Sequence, residues 1–89
     1  MQGPRIHGNG TGRARLEEQF ERAGHALHEA LEALSEAAPN ARDYYVIDAG
    51  AFGRARDEHE ARLRAVQGAK EEIEALHQSL FEGENERAR

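Results

Sequence analysis

The segment Asn40-Ala41-Arg42-Asp43-Tyr44-Tyr45 carries more chemistry than a link between two helices requires. A few polar residues and a glycine suffice for such a link. Here two adjacent rings and a guanidinium could stack on a flat ligand such as a purine. The Arg42 fork suits a phosphate or carboxylate, and Asn40 or Asp43 could read polar edges. The same residues also have a structural use. Either tyrosine could close the end of a helical bundle, with Arg42 and Asp43 paired locally to fix the turn. On sequence grounds both uses stay open.

A second candidate lies upstream. Gly8-Asn9-Gly10-Thr11-Gly12 has the glycine content of a phosphate-cradling loop but lacks the lysine and preceding strand of a P-loop. Asn9, Thr11, Arg13 and Arg15 stand near the start of a helix, where unpaired amides favour anions, and are candidate phosphate contacts. Asn9-Gly10-Thr11 also matches a glycosylation acceptor, which has meaning only in a secreted protein. The expected ligand-binding set is therefore Asn40, Arg42, Asp43, Tyr44 and Tyr45 with Asn9, Thr11 and Arg13.

Metal chemistry has a weaker basis. His25 and His28 are one helical turn apart with Glu21, Glu29 and Glu32 nearby, and Glu74-Ala75-Leu76-His77 has the Glu-x-x-His spacing that di-iron helical bundles use twice. One copy is present, so a ferritin-like metal site would need oligomerisation to supply the second. The plainer reading makes His25, His28 and His77 solvated helix residues and His59 a hydrogen-bonded core histidine. Ser35 and Ser79 lie within helices with no persuasive base beside them, so nucleophilic catalysis has little support. The expectation is a non-enzyme with no resident metal and no cofactor.

The elements that must position these residues follow from apolar spacing. Leu16, Phe20, Ala23, Leu27, Ala30, Leu34 and Ala37 recur alternately four and three apart, with Leu31 widening the stripe. This predicts a helix over about 12–38, ~39 Å long, with Thr11 as N-cap and Pro39 as its stop. Phe52, Ala55, His59, Leu63, Val66, Ala69, Ile73, Leu76 and Leu80 predict a second helix over about 49–82, capped by Asp48 and ended near Phe81 to Gly83 by a left-handed glycine cap. Glu18 with Arg22, Glu58 with Arg62 and Glu60 with Arg64 are spaced as i,i+4 pairs on the outer face. The domain layout is then a Gly-rich N-terminal arm over 1–11, a helical hairpin over 12–82 and a disordered polar tail over 83–89.

Composition bounds the rest. The chain has 89 residues, a net charge of −5 and no cysteine, so no disulfide can staple it and no thiolate can act. Clustered Lys and Arg are missing, which argues against a nucleic acid partner. No apolar run approaches the ~20 residues that cross a bilayer, so no membrane partner is expected, and Met1 to Gly12 has no apolar signal-type core. Two apolar stripes facing each other make a thin core with one side of each left open. An all-α antiparallel hairpin that assembles as a helical-bundle oligomer is therefore expected.

The combination of Asn-Gly-Thr at Asn9 to Thr11, a helix, Pro-Asn-Ala-Arg-Asp-Tyr-Tyr at Pro39 to Tyr45 and a second charged helix resembles small uncharacterised proteins of tailed bacteriophages and prophages, over Asn9 to about Leu80. Those proteins often continue past the tyrosines with a proline and Gln-Gly, where this chain has Val46 to Gly50. The resemblance implies a phage accessory protein acting in the cytoplasm of a bacterial host. By looser analogy, phage proteins of similar size and helical build assemble into oligomers that sequester nucleotide signals of host immunity.

Three expectations result. The first is an oligomer sequestering an anionic nucleotide-like ligand where the Arg42 to Tyr45 loop of one copy meets the N-terminal arm of another. The second is a coiled-coil adaptor or inhibitor of a host protein. The third is a metal-dependent enzyme whose ferritin-like metal site forms on oligomerisation.

Overall fold

A computed structural model describes residues 2–4, 12–44 and 46–88, with side chains as far as Phe81. Two α-helices, α1 (Arg13–Glu36) and α2 (Ala51–Ala88), flank one 3-10 turn (Ala41–Asp43), and no strand occurs among the described residues. The helices are antiparallel. Leu34 meets His59 near the connection, a side chain at Gly24 would face Ile73 midway, and Arg13 lies over Phe81 at the open end.

Each boundary has a local cause. Thr11 falls outside the described residues, and Gly12 takes the N-cap position of α1 with extended backbone and no side-chain cap bond. Its carbonyl accepts from the Leu16 amide at 3.0 Å, and Arg13 pairs with Glu17 at 3.1 Å across the first turn. At the other end α1 stops at Glu36, two residues short of the expected 38. Ala38 precedes Pro39 and is pushed out of helical geometry. The Ala37 amide consequently shares the Ala33 and Leu34 carbonyls at 3.1 Å each, tightening the last turn.

α2 begins at Ala51, not 49, and its far end differs more. The expected stop at Gly83 does not occur. The helix runs to Ala88, so the tail expected to be disordered over 83–89 is helical backbone as far as that residue. No glycine among the described residues has positive φ. A single glycine in a helix costs only about 1 kcal/mol, and Glu82, Glu84, Glu86 and Arg87 around it are good helix formers.

The helices meet along a heptad seam. On α1 the half-buried residues are Arg13, Leu16, Phe20, Ala23, Leu27, Ala30 and Leu34, with Glu17, Gly24 and Leu31 forming a second line beside them. On α2 the seam runs His59, Leu63, Val66, Lys70, Ile73, His77 and Leu80. Ala69, expected on this face, is exposed and Lys70 replaces it. The contact keeps the regular alternation of four- and three-residue steps through Val66, Lys70 and Ile73, whereas the apolar pattern takes a three-residue step from Val66 to Ala69. The Lys70 stem covers the seam while its ammonium pairs with Glu74 at 2.6 Å.

The core is correspondingly slight. Among the described residues only Ala51, His59 and Leu80 are buried, and α1 has no buried residue at all. Two cylinders touch along one line, so each seam residue keeps one flank open. The molecule measures 63 × 19 × 18 Å with a radius of gyration of 19.3 Å, against about 12 Å for a compact chain of this length. Of the three expected outer-face pairs, Glu58 with Arg62 forms, at 3.8 Å. Glu18 with Arg22 and Glu60 with Arg64 do not form among the described residues, and exposed pairs of this kind contribute little either way.

Candidate functional site

The connection at 37–50 is a chain of tight turns. Asn40, extended before the 3-10 turn, accepts the Arg42 amide on its side-chain oxygen at 3.0 Å, and the Asp43 and Tyr44 amides bond back to Asn40 and Ala41 at 3.0 Å each. The Ile47 amide then returns to the Tyr44 carbonyl at 3.1 Å. Asp48 fixes the exit. Its Oδ1 accepts the Gly50 amide at 2.8 Å, its Oδ2 lies 2.8 Å from Arg54 Nη2, and its carbonyl accepts the Ala51 amide at 3.3 Å. Asp48 therefore does not cap α2 with its side chain as expected: its carboxylate holds the Gly50 amide ahead of the helix, which starts two residues later than the expected 49. The Arg54 hydrogen bond first, and the Gly50 amide second, hold the Asp48 carboxyl below its ordinary value of 3.8. Gly50 leaves room for this: a side chain there would stand 2.8 Å from the Arg54 guanidinium.

These bonds assign structural work to part of the expected ligand set. Asn40 is committed to the turn. Tyr44 is half-buried, its ring centroid 6.5 Å from that of Phe52 at an interplanar angle of 50°, and the Arg56 guanidinium carbon lies 6.0 Å from the Phe52 ring centroid. Arg42 and Asp43 are exposed, and no ion pair joins them or engages Arg42 with another described carboxylate. Tyr45, Asn9 and Thr11 lie outside the described residues.

Arg13 is far from the loop. It sits at the opposite end of α1, about 36 Å of helix away, with its guanidinium 4.9 Å from the Phe81 ring centroid. Within one chain the structure therefore does not bring Arg13 to Arg42 and Tyr44. The open end forms its own cluster: His77 also stacks on Phe81 at 5.7 Å, and Gly3 of the N-terminal residues approaches Ser79.

The histidines divide in the same way. His59, 7% exposed, places Nε2 2.7 Å from the Leu34 carbonyl oxygen, the hydrogen-bonded core histidine that its stripe position suggests. His25 with Glu29 and His28 with Glu32 form two separate exposed pairs at 3.0 Å each. Glu74 is held by Lys70 and His77 by Phe81, so the Glu-x-x-His residues are engaged elsewhere, and no group of three or more metal-type ligands occurs among the described residues.

Two features escaped sequence reasoning. One is the exposed pair Val46 and Ile47, 90% and 64% exposed at the loop tip. Their apolar type between Tyr45 and Asp48 was the available signal. The other is a groove of about 340 Å³ between the helices, lined by Leu31, Ser35, Leu63, Arg64 and Gln67. Leu31, which widens the stripe, pointed to it. No helix among the described residues is long and apolar enough to cross a membrane. Comparison with protein families, curated proteins and solved structures finds no match to this chain.

Proposed function

We propose that this chain is a non-catalytic docking module, a coiled-coil adaptor or inhibitor that acts by laying its open seam against another helical surface. The observation that carries this reading is the half-buried heptad seam on both helices, with no buried residue on α1 and a groove at Leu31 and Leu63. An apolar seam of this kind gains stability only when a further helix covers its open flank. Native mass spectrometry of the parent chain, Leu31→Ser and Arg42→Ala tests it. The groove variant should lose the protein complex and Arg42→Ala should keep it; a complex lost through Arg42→Ala alone overturns the reading.

A second reading keeps the loop as a site for an anionic, planar, nucleotide-like ligand, as for a phage accessory protein acting against host immunity inside a bacterium. It is favoured by the exposed Arg42, which makes no ion pair among the described residues and is held on a turn one residue from Asp43 and two from the half-buried Tyr44. Any contribution from Arg13 or the arm would have to come from a second copy. A retained anionic small molecule in the parent spectrum, lost in Arg42→Ala, would favour this reading over docking.

A further inference from the structure

We infer that the occupant of the groove is a second copy of this chain, two hairpins joining face to face into a four-helix bundle. This rests on the docking reading and names its partner. The first support is area. The chain exposes 6861 Å², whereas a compact chain of its mass exposes about 5,200 Å². Part of the difference, roughly 1,700 Å², belongs to the ends of α2 that run past α1, so it is an upper bound on what a partner covers. Doubled for two copies it is about 3,300 Å², inside the roughly 2,000 to 5,000 Å² of obligate homodimers.

The second support is the length of the open flank. Leu16, Phe20, Leu27, Leu31 and Leu34 on α1, and Leu63, Val66, Ile73 and Leu76 on α2, are all half-buried. The incomplete face therefore extends over the whole overlap of the two helices, and a copy of the hairpin has that same length and the same two stripes. A two-fold axis then pairs the face with itself, which a self-complementary surface permits.

The third support is charge. Arg64 and Gln67 form the lip of the groove on α2, and Arg64 finds no carboxylate among the described residues. Among the described residues Arg22 likewise makes no ion pair, and neither do Glu18, Glu21, Glu36 and Glu60. The exposed faces beside the seam thus carry uncommitted charges of both signs. A strongly basic or strongly acidic partner would satisfy one set and repel the other, whereas a second copy brings both.

Sedimentation equilibrium of the parent chain across a wide concentration range tests this, beside thermal melts at the same concentrations. The expected mass is twice the 9.9 kDa chain or a higher multiple, with a midpoint that rises with concentration by mass action. Ser35→Arg provides the control. Ser35 is exposed on the groove wall in the last turn of α1, where a cation suits the helix end, so folding should persist while a bulky charge fills the groove. Association should weaken by roughly tenfold or more. A folded 9.9 kDa species with a concentration-independent midpoint overturns the inference, as does an assembly indifferent to Ser35→Arg. If that monomer still binds a different helical protein through Leu31, the docking reading survives without it.

Discussion

The Nε2 of His59 on α2 lies 2.7 Å from the carbonyl oxygen of Leu34 on α1, joining the two helices at the point where α1 runs out of amides. Leu34 would bond to the Ala38 amide if the helix continued. That amide instead turns toward Ser35 at 3.4 Å, and the Leu34 oxygen receives only the shared Ala37 amide besides the imidazole. The ring thus satisfies a helix-end carbonyl and fixes the register of the hairpin.

Replacing His59 by Leu should therefore destabilise the chain by about 1–3 kcal/mol, since the carbonyl loses a buried donor. Urea unfolding measures the loss. Hydrogen exchange should show the Ala37 and Ala38 amides deprotected more than those of Leu63 to Ile73. An unchanged unfolding midpoint in His59→Leu would remove the capping role.

Tyr44 separates packing from ligand binding. Its ring contacts Phe52, and its hydroxyl makes no hydrogen bond among the described residues. Tyr44→Ala should cost about 1–3 kcal/mol through lost packing, whereas Tyr44→Phe should stay within roughly 0.5 kcal/mol of the parent. Arg42→Ala should leave stability unchanged. Calorimetric titration of these three variants against a nucleotide panel decides the loop's role, because a ligand site would show Arg42→Ala losing affinity at constant melting temperature.

The Asp48 cluster predicts an acid response. Its carboxyl is held below 3.8 in the folded chain by Arg54 and then the Gly50 amide. The stabilisation is complete above the unfolded value and fades as pH falls through the lower folded value. The Gly50 amide resonance should accordingly move with a midpoint below 3.8, and Asp48→Asn should abolish that movement. A Gly50 midpoint at or above the ordinary carboxylate value would contradict the Arg54 contact.

Gly24 offers a stabilising change. A methyl there would lie 3.9 Å from Ile73 Cγ2, ordinary contact distance, in the middle of α1. Gly24→Ala should raise stability by about 0.5–1 kcal/mol, because alanine loses less backbone freedom on entering a helix. Thermal denaturation at fixed chain concentration gives the sign; a lowered midpoint would mean that the helices cannot yield the space.

Charge in the seam should be far less tolerated. Leu27 and Leu63 are half-buried on opposing stripes, and Leu27→Asp or Leu63→Asp would place an unpaired carboxylate against apolar neighbours. Loss of cooperative unfolding by circular dichroism is the expected outcome. Either variant melting like the parent would contradict the assigned seam.

By itself the sequence determined what is periodic and local: two helices, their break at Pro39, the seam from Leu16 to Leu34 and from His59 to Leu80, and a histidine on the apolar stripe. Apolar spacing and proline geometry act within a few residues, so no knowledge of distant partners was needed. Only the tertiary structure decided the pairings. That Leu34 is the acceptor for His59, that Tyr44 packs on Phe52, that Lys70 and not Ala69 takes the seam, and that Arg13 stands a helix length from Arg42 all depend on the register between α1 and α2. Register is set by side chains meeting across the hairpin, and spacing along either helix carries no record of it. The helical continuation through Gly83 differs in kind: a glycine there permits both a stop and a continuation, and its formers on either side decided between them.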